Sequence, residues 1–75
     1  MKEKILDILR DVNEDILTYA GSNMMADGVI DSFELIDIVS RLEEEFHVEI
    51  DGEYVVVQNF ANKETVISLM EKLLN

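Results

Sequence analysis

The chain has 75 residues, enough for one small domain with no second core beside it. Its 17 acidic and 6 basic side chains leave a formal charge of −11 at pH 7, which repels nucleic acid and anionic membrane surfaces and suits basic protein partners. With 48% hydrophobic residues and no cysteine, it should close a core without disulfides, and it offers no thiolate nucleophile and no sulfur ligand for a metal.

The N-terminus, Met1-Lys2-Glu3-Lys4, runs straight into an amphipathic pattern with acidic residues, unlike the apolar core of a signal peptide, and no apolar run approaches a membrane span. A cytoplasmic protein without membrane insertion is expected. Ile5, Ile8, Leu9, Val12 and Ile16 recur at three- and four-residue steps, which predicts a first helix from Lys2 to about Asp15. From Thr18 to Ile30 the period is lost, and Gly21-Ser22-Asn23 and Asp27-Gly28 are turn sequences, so a long loop is predicted there.

Asp31 followed three residues later by Glu34 makes a capping-box-like pair, so the second helix should begin at Ser32. Leu35, Ile38, Val39, Leu42 and Phe46 form its core stripe, which ends near His47. Val48 and Ile50 then alternate with Glu49 and Asp51. The valine-rich run from Glu53 to Phe60 favours strand by propensity but has no partner strand, and is read as a short helical or irregular connector. Asn62 can cap a last helix whose inner stripe is Val66, Leu69, Met70 and Leu73. The expected fold is all-α, one domain over residues 1–75: a small bundle of three main helices plus a short connector helix.

A catalytic reading is soon exhausted. The one histidine, His47, ends a helix, where a cation suits the dipole, and no pattern sets it against a serine and an acid. Glu43-Glu44-Glu45 reads as a solvated face, and no phosphate-cradling glycine loop or zinc pattern occurs. A calcium loop beginning at Asn23 matches at Asp27, Gly28, Asp31 and Glu34 but offers Met25 where a hard oxygen is needed, and it has no second loop to pair with.

What remains is Ser32, at the first position of a helix behind a turn glycine. A phosphate on it faces free backbone N–H groups and the positive end of the helix dipole. Turning the helix at about 100 degrees per residue leaves Ser32, Phe33, Ile36 and Ser40 on a flank, so two large apolar side chains stand beside the serine. Glu34, Asp37, Glu43 and Glu44 rim them. From Asp27 to Glu53 lie ten of the acidic residues and one basic residue, Arg41. Such a patch suits brief docking on basic surfaces, charge setting the encounter rate and apolar groups fixing position.

Gly28-Val29-Ile30-Asp31-Ser32-Phe33-Glu34-Leu35, the acidic run Leu42-Glu43-Glu44-Glu45-Phe46, the exit Val48-Glu49-Ile50 and the terminal amphipathic helix together resemble an acyl or peptidyl carrier protein over nearly the whole chain. In that family the serine of an Asp-Ser-Leu motif receives 4'-phosphopantetheine from coenzyme A, and the arm's thiol holds an acyl or aminoacyl thioester. The resemblance implies that Ser32 is the attachment site, that Asp31 caps the helix within the motif, and that Phe33 stands for the family's leucine. It also implies a freestanding monomer that is not an enzyme. Its partners are a phosphopantetheinyl transferase, an acyl- or amino-acid-adenylating ligase or acyltransferase, and condensing or transferase enzymes with basic docking patches. Fatty-acid, polyketide and aminoacyl or nonribosomal pathways all use such carriers. The alternatives are an unmodified acidic interaction domain anchored by Phe33 and Ile36 and, third, a calcium-binding regulator.

Overall fold

The computed structural model describes residues 1–75 and contains no strand: α1 Lys2–Val12, α2 Asp15–Thr18, α3 Ser32–Phe46 and α4 Lys63–Leu74, with 3₁₀ turns at Gly52–Tyr54 and Val57–Asn59. The architecture is the small all-α bundle expected, with three long helices, but one boundary differs. The first helix stops at Val12, short of Asp15, because Asn13 takes an extended conformation (φ −163°, ψ 109°) and its side chain accepts the Asp15 N–H, opening α2 instead. Ile16 therefore reaches the core from α2, not from the first helix. The connector, expected to be short and helical or irregular, consists of two single 3₁₀ turns, neither of which buries a residue.

A cluster of 13 buried apolar residues makes the core. α1 gives Ile5 and Leu9, α3 gives Ile38 and Leu42, and α4 gives Val66, Ile67, Leu69 and Met70. α1 lies against each of the other three α-helices or their flanks, so it is the element around which the others assemble. On α3 the stripe centres on fully buried Ile38 and Leu42, while Leu35, Val39 and Phe46 are half-buried around it. No polar or charged residue is buried, so all 17 acidic side chains lie at the surface. The radius of gyration is 11.0 Å, matching the roughly 11 Å of a well-packed chain of this length. No helix is long and apolar enough to cross a membrane.

Both long helices after α1 open on capping boxes. Asp31 accepts the Glu34 N–H while Glu34 accepts the Asp31 N–H, and Asn62 with Thr65 repeats the exchange at α4. α3 closes on His47 in the left-handed region (φ 52°, ψ 47°), whose N–H reaches the Glu43 carbonyl.

Candidate functional site

The segment leading to Ser32 is held from both sides. Gly28 has φ +76°, a turn conformation that side chains rarely adopt, and it reverses the chain. The Val29 and Ile30 N–H groups then both donate to the Met24 carbonyl, at 2.9 and 3.3 Å, while the Met24 N–H donates to the Ala61 carbonyl at 2.9 Å. Ile30 and Met24 are buried, so the loop is pinned to the core just before the site. Asp31 follows in extended conformation, accepting the Glu34 N–H at 2.8 Å and donating its own N–H to Glu34 Oε1 at 3.1 Å.

Ser32 is exposed at the first turn of α3 and enters none of these bonds. Phe33 is 81% exposed and Ile36 63%, the two most exposed large apolar side chains in the chain. An apolar side chain of that size gives up roughly 1.5–3 kcal/mol of burial by standing in water. Ser32, Ile36 and Ser40 follow at four-residue steps with Phe33 three before Ile36, so all four share one side of α3, and Ser40 is exposed too.

The acidic rim is less uniform than the sequence suggests. Asp37 pairs with Arg41 at 3.0 Å, and Glu44 is free at the surface. Glu43 is half-buried and one carboxylate oxygen accepts the Ile50 N–H at 2.8 Å, tying the exit segment to α3. Glu34 is also half-buried, with Oε1 on Asp31 and Oε2 3.2 Å from Asn13 Nδ2.

The side chains of the calcium reading are engaged in local hydrogen bonds. Asn23 Oδ1 accepts the Ala26 N–H, Asp27 accepts the Tyr19 hydroxyl proton at 2.6 Å, and Asp31 and Glu34 serve each other in the box. No group of three or more histidine, cysteine or acidic side chains is placed to hold a metal ion. The largest depression, an open space of about 620 Å³, lies between Ile8, Asp11, Arg41, Glu44, Glu45 and His47, with Ile8 its one hydrophobic wall. Ser32, Phe33 and Ile36 all lie outside it and outside the three smaller depressions.

Tyr19 and Asn13, which the sequence pattern did not single out, and Asn62, which it named only as a helix cap, organise this region. Tyr19 donates to Asp27 and accepts the Asn23 N–H at 2.8 Å, so its hydroxyl latches the middle of the loop. Desolvation, and then the hydrogen bond to Asp27, raise its pKa above the ordinary phenol value. Asn62 Nδ2 donates to the Gly21 carbonyl at 2.9 Å, and Asn13 Nδ2 to the Val29 carbonyl at 2.9 Å. Asparagine after a helical run is the one visible signal, since its side chain competes with the helix for backbone groups. Among known proteins, no family model, no curated protein and no solved structure matches this chain.

Proposed function

We propose that the chain is a carrier protein of the cytoplasm, in which Ser32 bears 4'-phosphopantetheine and the arm's thiol delivers acyl or aminoacyl groups as thioesters between enzymes. The observation that carries the reading is an exposed serine at the first position of a capped helix, beside the two most exposed large apolar side chains of the molecule. The Asp31–Glu34 box fixes the backbone under Ser32, and the exposure of that residue leaves its hydroxyl open to a transferase. In the loading step the Ser32 Oγ–phosphorus bond forms as the pyrophosphate bond of coenzyme A breaks. Adenosine 3',5'-bisphosphate leaves, and the hydroxyl proton goes to a base supplied by the transferase. The arm supplies the thiol that a chain without cysteine lacks. Phe33 and Ile36, framed by Glu34, Asp37, Glu43 and Glu44, then dock on basic patches of the loading ligase or acyltransferase and of the condensing or transferring enzyme.

Incubation with coenzyme A and a broad-specificity phosphopantetheinyl transferase, followed by intact-mass analysis, tests this. One phosphopantetheine should add to the natural chain and none to Ser32→Ala; a chain that gains no mass, or a Ser32→Ala variant that still gains it, refutes the reading. The 81% exposure of Phe33 also favours a second reading, an unmodified acidic interaction domain. There Ser32→Ala keeps function and Phe33→Ala abolishes it.

A further inference from the structure

We infer that Asn13 is a positioning residue for Ser32, an inference that rests on the carrier reading above. Asn13 stands where α1 ends, and every polar atom it has is engaged. Its N–H donates to the Leu9 carbonyl at 2.9 Å, its carbonyl accepts the Ile16 N–H at 3.1 Å, and its Oδ1 accepts the Asp15 N–H at 3.0 Å. Those three bonds shape the corner between α1 and α2. Nδ2 does something different, donating to the Val29 carbonyl at 2.9 Å and to Glu34 Oε2 at 3.2 Å. Val29 precedes Ser32 and Glu34 follows it, so one amide group grips the chain on both sides of the serine.

The chemistry allows only this orientation of the amide. A flipped Asn13 sets its oxygen against a carbonyl and a carboxylate and its amino group against the Asp15 N–H, losing all three bonds. The Glu34 carboxylate is divided between two tasks, Oε1 completing the helix cap and Oε2 held by Asn13. With the second hold removed, the carboxylate is free to turn to water and loosen the cap, and the backbone under Ser32 moves with it. Group transfer depends steeply on alignment, a misplacement near 1 Å costing on the order of 100-fold in rate. The hold is a charge-assisted hydrogen bond at a half-buried site, the stronger class of such bonds.

Asparagine and aspartate serve equally as caps, which separates the two jobs. Asn13→Asp keeps the acceptor for the Asp15 N–H but sets a carboxylate against Glu34 and the Val29 carbonyl. Glu34→Gln, with its oxygen on the Asp31 N–H, turns an amide donor toward the Asn13 donor. The pair Asn13→Asp with Glu34→Gln reverses donor and acceptor and restores the link to position 34, while the hold on the Val29 carbonyl stays lost. The experiment measures kcat/KM of a broad-specificity transferase for each purified chain with coenzyme A, together with amide exchange at Asp31 by NMR. Each single variant should load about tenfold more slowly, as expected for a misaligned nucleophile, with faster exchange at Asp31; the double variant, with the Glu34 side of the hold rebuilt and the Val29 side still missing, should recover part of both. If Asn13→Asp loses the fold, Asn13→Ser keeps a hydroxyl for Asp15 but is too short to reach Glu34, and is read in its place. A natural chain that takes up no phosphopantetheine overturns the carrier reading and this inference together. A natural chain that loads while Asn13→Asp loads equally fast overturns the inference alone, as does a double variant no faster than the slower single one.

Discussion

α3 and α4 begin with the same device and put it to opposite uses. Each opens on a capping box, Asp31 with Glu34 in one and Asn62 with Thr65 in the other. At α4 the start is half-buried, flanked by buried Ala61, Val66 and Ile67, and the helix hides four residues within its 12. At α3 the start is exposed, its second residue is the most exposed large apolar side chain of the molecule, and 15 residues bury only Ile38 and Leu42. A cap fixes where a helix begins; the residues just inside it decide whether that beginning packs or presents.

The largest effect that can break this comparison comes from setting a buried residue of α4 against an exposed one of α3. Leu69→Ala in α4 empties a fully enclosed site and should cost about 2–5 kcal/mol in urea unfolding, whereas Phe33→Ala in α3 should stay within about 0.5 kcal/mol. A Phe33 variant as damaging as the Leu69 one means that Phe33 packs in solution and presents nothing. The caps come next. Asp31→Ala should cost about 1 kcal/mol, and Asn62→Ala more than that because Asn62 also holds the Gly21 carbonyl. Equal losses remove the distinction between a cap that anchors a loop and one that only starts a helix.

The smallest effect sits on the loop that feeds α3. The Tyr19 pKa is raised in the fold by desolvation and by Asp27, so at alkaline pH the folded chain keeps a proton that the unfolded chain has lost. Its contribution is whole below about pH 10, the unfolded phenol value, and disappears as pH climbs through the higher folded value. Melting temperature should therefore fall past that point, and Tyr19→Phe should flatten the fall; parallel curves for the two proteins refute the latch.

Much of this was legible in the sequence where a period or a local motif carried it. The start of α3 at Ser32 followed from Asp31 and Glu34, and the inner face of α4 from Val66, Leu69 and Met70. The end of α1 was not, because Ile16 continues the four-residue step even though Asn13 has already broken the helix; α2 resumes with Ile16 still facing the core. The valine run gave a strand-like propensity with no partner, and the chain resolves it with 3₁₀ turns. The exposed pair at Phe33 and Ile36 was visible as apolar residues left over from the stripe. The holds on the site were not, since Asn13 lies 16 residues from Val29 and 21 from Glu34, and polar pairs at such separations leave no periodic trace.

Met24 links the two helix starts, with its N–H on Ala61 beside the α4 cap and its carbonyl holding Val29 and Ile30 ahead of Ser32. During synthesis Ser32 emerges long before Ala61 and Asn62, and until they arrive neither the Met24 N–H nor the Gly21 carbonyl has its partner. Translation thus separates two layers of support: the Asp31–Glu34 box draws only on residues made close to Ser32, whereas the ties of Met24 and Gly21 wait for Ala61 and Asn62.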